Sequence, residues 1–152
     1  MMFTITNEDP ASVAALQLMD ALSETLTQIT GDSGQSSFDP NDVRGSRARF
    51  VVARTHNEIP VGCGAFRPIE ESIAEVKRMY AMPGTSGVGR AVLAHLENEA
   101  RLLGYSQLWL ETRSVNHRAV SFYEKNGYSR IPNFGKYVGK VEAVCFAKNL
   151  LT

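Results

Sequence analysis

Cysteine is scarce in this chain, and so are net charge and long apolar runs; each shortage removes a class of function. Only Cys63 and Cys145 occur, far apart in apolar, strand-like segments and outside any C-x-x-C pair. They read as buried, reduced thiols, not as a disulfide, a metal site or a nucleophile. Sixteen basic residues balance sixteen acidic ones, so no net field recruits nucleic acid or an anionic membrane. No apolar run approaches the length of a membrane span. The segment Met1–Pro10 has neither the basic n-region nor the apolar h-region of a signal peptide. His56, His95 and His117 keep no metal-ligand spacing with cysteines or carboxylates, so no metal is expected. Repeats, low-complexity tracts and interdomain linkers are also missing. The expectation is a cytoplasmic protein of one domain, residues 1–152, with no nucleic-acid or membrane partner.

What the chain does have is a glycine-rich turn between a strand and a helix. Glu75-Val-Lys-Arg-Met-Tyr-Ala-Met-Pro runs into Gly84-Thr-Ser-Gly-Val-Gly-Arg, and an amphipathic helix pattern follows to Leu103. Glycines without a Cβ let the backbone bend tightly and approach a ligand. The N–H groups of such a turn and of the helix's first turn converge and favour an anion. Arg90 supports that reading, because a cation in a first helical turn opposes the macrodipole unless a negative group sits there. Either a phosphate cradle or a ligand-free glycine connection fits this stretch taken alone.

The remaining pattern alternates strands and helices. Residues 2–6 alternate as a strand; Asp9 and Pro10 open a helix with the stripe Ala15, Leu18, Leu22, Leu26 and Ile29, stopped by Gly31. A polar loop spans 31–42. Strand signals at 47–54, 59–68 and 72–82, separated by short turns, predict an antiparallel meander. A helix over 87–103, a strand over 107–112, a helix over 116–126 and further strands, the last over 141–148, follow. Strand, helix, strand implies a right-handed crossover and a locally parallel pair. The fold class is α/β (α+β): a mixed, mostly antiparallel sheet flanked by helices.

After the strand Gln107-Leu-Trp-Leu-Glu-Thr come Asn116-His-Arg-Ala119 and Phe122-Tyr-Glu-Lys-Asn-Gly-Tyr128. Together with the glycine turn, this resembles the GNAT superfamily of acetyl-CoA-dependent N-acetyltransferases. That family's Arg/Gln-x-x-Gly-x-Gly/Ala motif is matched at Gly87 and Gly89, and its Asn-x-x-Ala…Tyr-Glu-Lys-x-Gly-Tyr motif from Asn116 to Tyr128. Gly84 departs from the pattern, standing where the family carries Arg or Gln, and the run from Pro83 to Gly87 is short. The resemblance implies a single GNAT-like domain with a splayed parallel strand pair, and acetyl-CoA as cosubstrate with its pyrophosphate on Ser86, Gly87, Val88, Gly89, Arg90 and Ala91. It also implies splaying near a bulge at Tyr80 or Met82, with the Met79 and Ala81 backbones on the pantetheine arm.

An amine attacking a thioester must be neutral, its attack creates an oxyanion, and the thiolate that leaves takes a proton. Tyr123 matches the family's tyrosine facing the cofactor sulfur, or is a packing aromatic. Asn116 matches the residue that bonds the pantetheine arm, and an N-cap role suits it equally. Glu75 lies where some GNAT enzymes place a base, with Ile73, Val76 and Met79 to desolvate it; an ion pair with Lys77 or Arg78 is the alternative. The expected acceptor is a primary amine on a small or amino-acid-like molecule, walled by loop 31–42 and Pro132–Lys140 with Phe38, Phe134 and Tyr137. A homodimer fits the resemblance. A non-catalytic acyl-CoA-binding module on the same fold is the rival. A dinucleotide oxidoreductase with Glu111 on a ribose fails on its G-x-x-G-x-G spacing, and a P-loop fails for want of Gly-Lys-Ser/Thr.

Overall fold

The computed structural model describes residues 3–151. Seven strands form one sheet in the order β1-β2-β3-β4-β5-β7-β6. They are β1 (Thr4–Asn7), β2 (Arg49–Arg54), β3 (Pro60–Glu70), β4 (Ile73–Ala81), β5 (Gln107–Arg113), β6 (Ser129–Ile131) and β7 (Ala143–Asn149). Three helices flank it: α1 (Val13–Thr30), α2 (Val88–Leu102) and α3 (His117–Lys125). Among the described residues only β4 and β5 pair in parallel; every other neighbouring pair is antiparallel.

Two cores explain the strand sequences. On one face, Val51, Ala53, Phe66, Ala74 and Val76 pack with Val88, Val92, Leu93 and Leu96 of α2. On the other, Phe50, Val52, Cys63 and Ala65 pack with Ala15, Leu18 and Met19 of α1. Buried on both faces, β2 and β3 therefore carry near-continuous apolar runs. Gly62 and Gly64 let α2 approach the sheet. A Cβ at Gly62 would lie 2.4 Å from Val88 Cγ1, and one at Gly64 would lie 2.9 Å from Val92 Cγ1. Larger residues would push away the helix that follows the glycine turn.

Several expectations need correction. Helix α1 starts three residues beyond Pro10, because Ser12 is its N-cap and accepts from Ala15 N at 3.1 Å. Asp9 instead accepts from Ala11 N, a local turn before the helix. Leu26 is only half-buried and Ile29 is exposed, so the apolar stripe ends a turn early. Loop 31–42 contains 3-10 turns at Gln35–Ser37 and Pro40–Val43. The last strand begins at Ala143, with Val141 exposed. Met2, placed in the first strand, lies outside the described residues. Gly31 ends α1 in the left-handed conformation, as its position suggested. No described helix is long and apolar enough to cross a membrane. No group of three or more His, Cys, Asp or Glu able to hold a metal occurs among the described residues.

Candidate active site

The site begins where the parallel pair fails. β4 and β5 are in register only at Ile73–Gln107, Ala74–Leu108 and Glu75–Trp109, and they separate beyond that point. The cause lies in β4. Between the pairs Ala65–Lys77 and Cys63–Tyr80 it holds one more residue than β3, and Arg78 takes φ 55°. This bulge sits at Arg78, not at Tyr80 or Met82. Bulges bend a strand and raise its local twist, which carries β4 away from β5. Met82 N donates to Val61 O at 2.8 Å, so strand alternation turns the N–H and C=O of Ala81 toward the open edge.

A cleft of about 290 Å3 occupies the opening and is lined from both faces of the sheet. Val76, Leu110, Ala119 and Tyr123 belong to the α2 and α3 side. Glu75, Lys77, Glu111 and Tyr137 belong to the other, beneath Leu22, Leu26 and loop 32–37. Tyr123 is buried, and its hydroxyl makes no hydrogen bond among the described residues. Burial pushes its phenol up, which keeps it in the neutral O–H form that can give a proton. It also stacks edge-on against Phe122 and Tyr128, which restrains the ring.

Polar side chains form the floor. Glu75 is fully buried and accepts from Arg67 Nε at 3.0 Å and from the Tyr137 hydroxyl at 2.8 Å. Lys77 Nζ donates to that hydroxyl at 3.1 Å and lies 3.7 Å from Glu75 Oε2. The ion pair foreseen with Lys77 is present, the one with Arg78 is not, and Arg67 was not foreseen. Desolvation pulls the Lys77 ammonium down against the pull of Glu75. Desolvation and the charge of Glu75 hold the Tyr137 phenol up. Glu111 lies two residues past the last β4–β5 pair and reaches Arg113 Nε at 3.7 Å. Burial raises its carboxyl above the usual range, partly offset by Arg113 and Lys77. Cys63 and Cys145 are buried free thiols, Cys63 pushed up to about 12 by burial.

The glycine turn lies at the α2 end of the opening. Gly87 caps α2 at φ 80°, and Ala91 N bonds back to its carbonyl at 3.0 Å. The N–H groups of Ser86, Gly87, Val88, Gly89 and Arg90 find no acceptor among the described residues. Arg90 is exposed and makes no ion pair among them. A row of free donors at a helix N-terminus, with an unused guanidinium beside it, suits a pyrophosphate.

Comparison with known proteins gives the family. A model of the acetyltransferase (GNAT) family matches residues 15–128. The chain belongs to the GNAT family. An IAA acetyltransferase of Azospirillum brasilense is 34% identical over 137 residues, covering 88% of this chain and 89% of that protein. The structure of a Klebsiella pneumoniae protein assigned to the acyl-CoA N-acyltransferases is similar at TM-score 0.83 and 30% identity, covering 98% of each chain. A Thermoplasma acidophilum PaiA N-acetyltransferase in complex with coenzyme A shares the fold at TM-score 0.70 and 18% identity, over 98% of this chain and 99% of that one.

In this GNAT protein, the residues expected at the site fall into three places. Glu75, Met79, Asn116 and Tyr123 line one cleft. Ala81 and Ser86–Ala91 lie at its α2 end. Asn116 caps α3, accepting from Ala119 N at 3.2 Å, which leaves its amide N–H groups free. Phe38 and Phe134 do not line the cleft. Phe38 lies under the Arg78 guanidinium, and Phe134 stacks between Trp109 and Tyr137. Lys77 and Glu111 were missed as site residues. Their signal was charge on one face of a buried strand, Glu75 and Lys77 two apart on β4 and Glu111 two beyond Trp109 on β5.

Proposed function

We propose that this GNAT protein transfers an acetyl group from acetyl-CoA to a primary amine of a small or amino-acid-like molecule, by direct attack with both substrates bound. The observation that carries the reading is a through-sheet cleft with an unpartnered tyrosine on one side and the buried Glu75 and half-buried Glu111 on the other, together with the row of free backbone donors at the start of α2. The residues fit the cosubstrate. Ser86–Ala91 and Arg90 would hold its pyrophosphate, and the open edge at Met79 and Ala81, with Asn116, would hold its pantetheine arm. Acetyl-CoA supplies the activated thioester.

The acceptor amine loses its proton on the side of the sheet that holds Glu111 and Glu75. Glu111 is the better-placed acceptor, because it has no strong hydrogen-bond donor and its raised affinity for a proton suits a base. Glu75, with its oxygens already taken by Arg67 and Tyr137, sets the floor and its field. Tyr123 would donate to the departing sulfur from the opposite side of the opening. Release of free CoA thiol from acetyl-CoA across an amine panel tests the reading. CoA binding with no thiol release for any amine would favour a non-catalytic acyl-CoA module.

A further inference from the structure

Every carboxylate lining the cleft already has a cation. Asp32 is paired with Arg113 at 2.9 Å, Glu111 with Arg113 at 3.7 Å, and Glu75 with Lys77 at 3.7 Å. Three further cations line the same space: Arg78, Lys136 and Lys140. None of them makes an ion pair among the described residues. The Lys136 ammonium reaches only the carbonyl of Ser37, at 3.0 Å. Arg78 donates only to neutral oxygens of Met19, Ser23 and Ser33, and its Nε is buried without an acceptor. Lys140 makes no side-chain hydrogen bond or ion pair among the described residues and lines the same cleft as Asp32 and Glu111. An excess of one sign in a concave, partly dry space focuses the field and is relieved by a ligand of the other sign.

We propose that the acceptor carries a carboxylate, held by Lys136 and Lys140, next to the amine that faces Glu111. This rests on the acetyl-transfer reading and narrows its substrate class to amino acids and related aminocarboxylates. Size agrees, since a cleft of about 290 Å3 shared with the thioester end has room only for a compact acceptor. Charge placement agrees too. Both lysines sit on the segment after β6, across the opening from Tyr123, so a carboxylate there leaves the amine pointing into the gap.

The test compares acetylation of α-, β- and ω-amino acids with that of their amides, their decarboxylated amines and ethanolamine phosphate. The acids should show kcat/KM about tenfold or more above their amides, the scale of one well-placed charge contact. A Lys136→Ala/Lys140→Ala variant should lose that preference through KM for the acid, with KM for acetyl-CoA unchanged. Both side chains are exposed, so the fold should tolerate the change. A Lys136→Arg/Lys140→Arg variant should keep the preference. Calorimetry of the same acids into the protein–CoA complex provides a readout free of turnover. Equal or better rates with amides or amines, faster reaction of the phosphate, retained preference in the alanine variant, or no acid binding to the CoA complex each overturns the carboxylate. Thiol release with neutral amines alone would do so while leaving acetyl transfer standing. No CoA binding and no release with any acceptor would bring down both.

Discussion

Tyr123 and Glu111 face each other across the gap, and each makes a separate claim. Tyr123→Phe should lower turnover by about two to four orders of magnitude, the range of general-acid catalysis, while CoA affinity stays within about twofold. Wild-type turnover with chemistry rate-limiting would reduce Tyr123 to packing. Glu111→Gln should lower kcat most above the titration of that carboxyl, where the wild-type base is ionised, and abolish an acidic limb lying above the usual carboxylate range. Its raised carboxyl also has a sign in stability. The folded protein keeps a proton there that the unfolded chain has lost, so stability falls as pH rises through that window, and the glutamine variant should lack the slope. Glu75→Gln is a different experiment. Removing the charge between Arg67 and Lys77 should cost about 3 kcal/mol of stability, as breaking a buried pair does. If denaturant melts show no loss of stability while turnover collapses, Glu75 takes part in the chemistry directly. At this scale the sequence was half readable. Tyr123, Asn116 and Glu75 stood in recognisable patterns, but Glu111, Lys77 and Tyr137 meet only because a bulge and a 3-10 turn bring three distant segments together.

At the scale of elements, the position of α2 depends on two glycines of β3 more than on those of its own turn. Gly64→Ala places a Cβ 2.5 Å from Met79 Sδ and 2.9 Å from Val92 Cγ1, so α2 must shift. We expect a loss of about 1–3 kcal/mol, typical of overpacking, together with weaker CoA binding. At Gly89 a Cβ would meet Phe122 at 3.4 Å, an ordinary contact, so Gly89→Ala should melt like the wild type. Gly89→Asp, carrying charge into the free donors, should lose CoA in a calorimetric titration. Equal binding by that variant would remove the pyrophosphate from this turn. Element boundaries were the least legible part of the chain. Asp9-Pro10 has the signature of a helix start, yet Ser12 won because its hydroxyl reaches Ala15 N and Glu8 lies within its reach. The bulge at Arg78 left no mark, since a non-glycine residue at positive φ carries no sequence signal.

For the whole molecule, CoA at about a hundred times its dissociation constant should add about 2.7 kcal/mol of stability. A thermal melt should therefore shift upward in the wild type and stay in place in Gly89→Asp. The architecture itself was readable because its cause is spread over many residues. The apolar runs of β2 and β3 report burial on both faces, and the change from meander to strand–helix–strand marks the parallel pair. What could not be read was the charge balance of the cleft, which depends on the segment 136–140 folding back over loop 32–37 through Lys136 and Ser37.

Splaying of β4 from β5 turns a sheet, ordinarily a wall, into a wall with a window. Ligands that arrive on opposite sides of a window do not queue behind each other. With both reading and geometry as described, CoA as product should compete with acetyl-CoA and be noncompetitive toward the acceptor. Initial-rate lines should intersect, and neither substrate should need to bind first. Product-inhibition patterns showing CoA competitive with the amine would mean that both ligands share one doorway.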